Sequence, residues 1–355
     1  MFKSIISITF AICFVVAGVV MARETAQTGS IATPVLSFVV DSANGVRPVI
    51  GVLGSASVAA PLNLGFEVLQ AAVPTEHDYI LATTPGSNWP LLLILRGGAI
   101  SVLPIGVQSS ECEQLDEPLL RWQRKPRRCP QPSLPLATTK IDHVALSPTG
   151  SSAAFVSESE RRVYAYTNMA GSPAFSGRFE LGLLGTLSAI GISDSGGSIV
   201  VGVSDGDTGA LFLLSPHQLP RLVAPMRRPS AIRFLRKSDS VVVADDLDNK
   251  IYVVSNGQPF VIATADDGIS APVGIALSKD NQRVFAGNAG SGTVSTIGLS
   301  GAGLKSLNCN CGLTGLHSTN TDSVFRLTDF SGGPILFFDG NTDPPRLMLV
   351  PVGGQ

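Results

Sequence analysis

Four histidines, His77, His143, His217 and His317, are the side chains in this sequence whose ordinary pKa lets them exchange protons near neutral pH. His143 and His317 stand at or beside short apolar stretches that read as the innermost strands of a repeat, so they are the candidates for an acid or base facing a central channel. Simple hydrogen bonding is the plainer role for a histidine so placed. His77 and His217 fall in turns.

The carboxylates form a second set. Asp205, Asp207, Asp245, Asp246, Asp248, Asp266, Asp267, Asn288 and Asp329, together with Glu158 and Glu160, all lie between short apolar runs. Oxygen donors converging on a channel mouth can hold Ca²⁺, which takes six to eight of them, or can receive a cationic ligand. The same residue types are also what tight turns need for backbone reasons. Asp205-Gly-Asp-Thr-Gly209 lacks the twelve-residue spacing and closing Glu of a calcium loop. No H-E-x-x-H pair, G-x-x-x-x-G-K-[ST] loop or C-x-x-C-H haem attachment occurs. No cofactor is expected, with Ca²⁺ the one ion the donors allow.

Cysteine usage points to export. Lys3, the apolar run Ile5 to Val20 and the small-residue site Val20-Met-Ala22 read as a signal peptide over residues 1–22, followed by a flexible segment at 23–34. Cleavage and retention as an anchor both remain open; either way the body is secreted or periplasmic. Beyond it lie Cys112, Cys129, Cys309 and Cys311, an even number with three connectivities. Cys112 to Cys129 is favoured, because the segment between them starts acidic and ends basic and so neutralises itself when closed. Cys309-Asn310-Cys311 is harder to pair, since bridging residues two apart makes a small ring. A metal site there with His317 lacks the paired CxxC spacing.

Composition removes several classes. The chain has 355 residues, 44% hydrophobic and 15% charged, with a net charge of −2. Such a chain is neither disordered nor equipped with the positive surface that nucleic acid needs. The basic group Arg121, Arg124, Lys125, Arg127 and Arg128 beside Trp122 sits in a long excursion at about 106–140 with its own acidic counterweight. After the N-terminus no apolar run is long enough to span a bilayer.

The elements that must position these residues repeat. His143-Val-Ala-Leu-Ser-Pro-Thr-Gly150, Ala189-Ile-Gly-Ile-Ser-Asp-Ser-Gly196, Ala231-Ile-Arg-Phe-Leu-Arg-Lys-Ser238 and Gly274-Ile-Ala-Leu-Ser-Lys-Asp-Asn281 are copies of one phrase, and a weaker fifth runs from Gly312 to Asp322. Aligned on Leu146, Ile192, Phe234, Leu277 and Leu316, they recur every 39 to 46 residues. That period holds four short strands and their turns but no crossover helix. Four-stranded units with two apolar faces must stack, and closing the stack into a ring removes its ends. The expected fold is therefore an all-β single domain over 35–351, a β-propeller of six four-stranded blades plus an N-terminal hairpin, giving six or seven blades. Val68 to Val73, Asp78 to Thr83, Pro90 to Leu95 and Ala99 to Ile105 supply one blade; Leu36 to Val40 and Val46 to Val52 make the hairpin, a short seventh blade or a clasp.

Val284-Phe-Ala-Gly-Asn-Ala-Gly-Ser-Gly-Thr-Val-Ser-Thr-Ile297 resembles the YVTN-type repeat of bacterial β-propellers, and Val241 to Val254 is a looser copy. The resemblance covers about Ile141 to Pro351 and speaks to fold; in most copies Asp or Glu replaces the turn Asn. In a propeller the turns between second and third strands share a face with the blade-to-blade connections, which would make that face acidic. These features lead to an exported, non-catalytic module that binds a protein or small ligand in the envelope or medium. The alternative is a hydrolase of lactones or related esters, possibly Ca²⁺-dependent, which some propellers of this kind are. A quinone-dependent or electron-transfer enzyme ranks below both, given two Trp and no haem motif.

Overall fold

The computed structural model describes residues 34–353, apart from 42, 44, 76–78, 86–89, 97–98, 106–139 and 302. The expected signal peptide, the segment 23–33, His77, Cys112, Cys129 and nearly all of the excursion lie outside the described residues.

Runs of β-branched residues form the strands, and turn formers end them. Ile199–Asp205 is followed by Gly206 at φ 63°, and Val241–Asp245 by a turn that places Asn249 at φ 52°, the left-handed backbone these tight connections require. Among the described residues, consecutive strands pair antiparallel into seven sheets, six of four strands and one of three. In chain order the blades span 35–58, 70–104, 143–180, 186–226, 229–263, 272–308 and 317–350. They are called blades 1 to 7. Their innermost strands are Val35–Val40, Gln70–Ala72, His143–Leu146, Thr186–Ile192, Pro229–Phe234, Pro272–Leu277 and His317–Ser318.

The ring is visible in the core. Seven apolar clusters form, one between each pair of neighbouring blades. Leu81 and Leu92 of blade 2 meet Phe155 and Tyr166 of blade 3, while Leu36 and Val39 of blade 1 meet Ile335 and Phe337 of blade 7. Each fully buried Val, Leu or Phe contributes about 1.5–3 kcal/mol relative to an exposed one, so no blade can leave its neighbours cheaply. Burial on both faces explains why the second strands read as unbroken apolar runs rather than as alternation.

Close approach between blades is allowed by glycine. A Cβ on Gly202 would lie 2.6 Å from Pro229 Cβ of the next blade, and one on Gly274 would lie 2.7 Å from Leu316 N. The N-terminal hairpin gains a third strand, Ser57–Val58, and becomes a blade. It is also the clasp: Val58 N–H donates to Pro351 O at 3.0 Å, Gly353 N–H to Val58 O at 2.9 Å, and Asn320 N–H to Leu36 O at 3.0 Å. The weak fifth copy shifts by two residues, because Ser318 pairs with Phe325 as Leu277 pairs with Val284. Ser318, not Leu316, thus stands level with Leu277. Among the described residues no helix is long and apolar enough to cross a membrane.

Candidate functional site

The inner strands enclose a central cavity of about 220 Å³ to which all seven blades contribute, including Phe38, Ala72, Leu146, Ile190, Phe234, Leu277 and Leu316. Apolar residues outnumber polar ones in this wall, but polar groups make up the larger share of its exposed surface. Three charged side chains and one histidine interrupt it: Arg233, Arg236, Arg326 and His317. Asp322 also lines it, but its Oδ1 accepts the Lys279 N–H at 3.0 Å.

Strand register sets the height of each group. Ala145, Gly191, Arg233, Ala276 and His317 occupy one level of the inner strands, opposite Ala154, Val200, Val242, Phe285 and Arg326 of the second strands. At a level otherwise filled by small residues, blade 5 therefore carries an arginine and blade 7 a histidine backed by a second arginine. Arg326 is only 8% exposed. Its Nη1 donates to Thr328 O and, at 3.2 Å, to Asp329 Oδ1, while its Nε has no hydrogen-bond partner. His317 Nε2 lies 3.5 Å from the same Asp329 oxygen but makes no hydrogen bond. Arg233 Nη1 donates to Ile232 O at 3.0 Å, and no ion pair joins it to an acid among the described residues.

Electrostatics follow from this crowding. Burial, reinforced by the Arg326 and Arg233 guanidiniums and opposed by Asp329, pushes His317 down to about 4, so its ring is neutral at pH 7. Burial also lowers both Arg233 and Arg326, the latter against the pull of Asp329. Sequence reading placed His317 in the channel and missed both arginines. A signal existed: Arg233 and Arg326 each interrupt an apolar phrase at a position where the other copies are small or apolar. His143 takes a different place, at the rim, where its Nε2 lies 3.0 Å from Glu158 Oε1 with both side chains nearly half exposed.

The turn residues lie on the face carrying the blade connections, as the strand order requires, but they do not act alike. Asp245 is fully buried, and its carboxylate accepts the N–H groups of Arg227 at 2.8 Å, Leu247 at 3.1 Å and Asp248 at 3.0 Å. Asn288 is likewise buried, accepting from Ser270 N and donating to Ser295 Oγ. Asp267 accepts the Thr264 N–H at 2.9 Å, capping the short helical turn Ala265–Asp267. Arg227 and Arg228 lie in the connection to blade 5, on this same face. Arg228 Nε donates to Asp246 at 2.7 Å and Arg227 reaches Asp248 at 3.7 Å, so a uniformly acidic face is not what the ring presents. Asp205, Asp207 and Asp266 stay exposed. Among the described residues no three His, Cys, Asp or Glu side chains gather to hold a metal ion.

Two further motifs resolve locally. Cys309 and Cys311 stand with their sulfurs within bonding distance and their Cα atoms 5.1 Å apart. The expectation that so small a ring resists closure is met by Asn310, whose left-handed φ of 47° folds the chain back between them. Sequence reading expects no nucleophile elbow, yet Gly202-Val-Ser-Asp-Gly206 has the G-x-S-x-G spacing of one. Ser204, however, pairs with Thr186 and Gly209 inside a sheet, and the chain turns into another strand rather than a helix.

No family model matches the chain, and no curated protein does. Solved structures do. A functionally unknown protein from Desulfotomaculum acetoxidans superposes with a TM-score of 0.57 at 13% identity, covering 90% of this chain and 100% of that one. A chain of a nidogen/laminin complex covers 78% of this chain and 94% of its own at 11% identity, with a TM-score of 0.46. The likeness of the first establishes the fold alone.

Proposed function

We propose that this chain is an exported, non-catalytic β-propeller of the YVTN type that serves as a binding module, meeting a partner in the envelope or medium with the face that carries its blade connections. The observation that carries this reading is the division of that face's carboxylates. The fold uses the carboxylates of Asp245 and Asp267, and the amide of Asn288, to cap its own backbone, whereas Asp205, Asp207 and Asp266 stand exposed and their carboxylates accept no backbone N–H among the described residues, with only Asp207 near a cation, at 3.9 Å from Arg227. Side chains that the ring does not need are free to meet something else. The sequence of residues 1–22 supports export.

The test is capture of a binding partner from the native envelope or medium by the immobilised mature chain. The triple variant Asp205→Asn, Asp207→Asn, Asp266→Asn should lose the captured species while melting at the wild-type temperature. Undiminished capture by that variant would overturn the reading. A hydrolase of lactones draws on one observation, the His143–Glu158 pair at 3.0 Å on the rim; absence of turnover on a lactone panel, with and without Ca²⁺, removes it.

A further inference from the structure

We propose that the central channel is a binding site for a small organic carboxylate, its anionic head held between Arg233, His317 and Arg326 over Ala276 and its apolar remainder packed against Ile190 and Leu146. The proposal concerns the inside of the ring. It stands whether or not the rim carboxylates meet a partner.

Charge is the first argument. Among the described residues, Arg233, Arg236 and Arg326 line one cavity of about 220 Å³ together with one carboxylate, Asp322, whose Oδ1 accepts the Lys279 N–H. Asp329, at the edge, serves both Arg326 and His317 and is 68% exposed, so water weakens what it offers. Arg236 is committed to the opposite end, where it donates to Thr75 Oγ1 at 3.1 Å and Pro148 O at 3.3 Å. The middle of the channel is left with two guanidiniums and a neutral imidazole against one solvated acid. A cavity so charged attracts anions and repels metal ions.

Unmet hydrogen bonding is the second argument, independent of the first. A buried donor without a partner costs on the order of 1–3 kcal/mol, more when it is charged, and such a group calls for an explanation. Arg326 Nε is such a donor, and His317 Nε2, a donor in one tautomer of the neutral ring, is a second unpartnered atom on the same strand pair. Both atoms are sealed from solvent as they stand, so a carboxylate at this end of the cavity would satisfy them once the two side chains turn toward it. The second carboxylate oxygen faces Arg233, which stands at the same level two blades away, with only the methyl of Ala276 on the blade between. A planar, two-oxygen head matches the fork of a guanidinium better than a point charge does.

The remaining wall sets the size and polarity of the ligand. Ile190 and Leu146 face the same cavity from blades 4 and 3 and offer nothing to a polar tail. A cavity of this volume suits a body of about one ring or a short chain.

The experiment is calorimetric titration of the purified mature chain with benzoate, with its neutral isostere benzamide and with inorganic phosphate. Benzoate should bind saturably at one site per chain, and benzamide at least tenfold more weakly. Arg233→Gln and Arg326→Gln should each weaken benzoate at least tenfold. Because Arg326 is buried and its variant risks misfolding, Arg233→Gln decides the matter alone, on a chain whose melting temperature is unchanged. Benzoate that fails to bind, benzamide that binds as well, or benzoate affinity indifferent to Arg233→Gln overturns the site. Phosphate binding more tightly than benzoate overturns the assignment to a carboxylate.

Discussion

The two faces of the ring are built from the same residue types and spend them differently. On the face formed by the turns from first to second strands, polar side chains bridge from blade to blade. Asp194 accepts the Thr149 N–H at 2.9 Å and Oγ1–H at 2.6 Å with one oxygen and the Lys237 N–H at 3.0 Å with the other, tying together blades 3, 4 and 5. Asn281 does the same between blades 6 and 5 through the Arg236 backbone, and Asp322 between blades 7 and 6. On the opposite face only part of the acid set turns inward, and the rest meets arginine or water. An identical Asp is a structural bolt on one side and an available surface group on the other.

The comparison is sharpest at Asp245, which sits on the open face and behaves like the closed one. Asp245→Ala strands the N–H groups of Arg227, Leu247 and Asp248 at a fully buried position. It should lower stability by about 3 kcal/mol, read from denaturant unfolding. Asp194→Ala should cost about 2 kcal/mol in the same assay. Burial pushes Asp194 up, but the hydrogen bonds from the Thr149 side chain and backbone and the Lys237 N–H prevail and hold it below its free value of 3.8. A carboxylate so lowered in the folded state gives stability that is present above pH 4 and lost as pH falls through its folded pKa. The gap between wild type and Asp194→Ala should therefore narrow on acidification below pH 4; a gap that stays constant would mean the charge plays no part.

Smaller effects separate function from structure. Arg326→Leu replaces a buried, incompletely partnered charge at a position where blades 4, 5 and 6 carry Val200, Val242 and Phe285. Its stability should hold or rise by about 1 kcal/mol, since the partner it leaves, Asp329, is 68% exposed and keeps its hydration, so no charge is stranded in the core. A loss of more than about 2 kcal/mol would make Arg326 a structural residue instead. Asp207→Asn, on the open face, should change stability by less than about 0.5 kcal/mol. An effect as large as that of Asp194→Ala would erase the distinction between the faces.

Much of the architecture was legible in the chain. The strands of blade 2, read before any clear repetition, fall at Gln70–Ala72, Tyr79–Thr83, Leu91–Arg96 and Ala99–Pro104, within a few residues of expectation. Local apolar runs and turn formers are sufficient there, because a strand buried on both faces is written in consecutive residues. The last blade misled by two residues, since its inner strand is reduced to His317–Ser318 and Leu316 mimics the repeated leucine. The site was harder. His317 was assigned to the channel by strand order alone, whereas Arg233 lay unnoticed inside a repeat that otherwise matched. The adjacent Arg227 and Arg228 give no sign in the sequence of the acids they meet, because two strands, Pro229–Phe234 and Val241–Asp245, separate the two sets.

An all-β chain, a repeat of four strands and the need to stack into a ring follow from the sequence by itself: apolar periodicity and turn chemistry act over a few residues and need no partner to be recognised. Which polar groups share a height around the axis was decided only in three dimensions. That height depends on the register of each inner strand and on the closure of blade 1 against blade 7, a condition imposed by the whole circle at once. Arg233, His317 and Arg326 come together through that closure, and so does the charge of the channel they line.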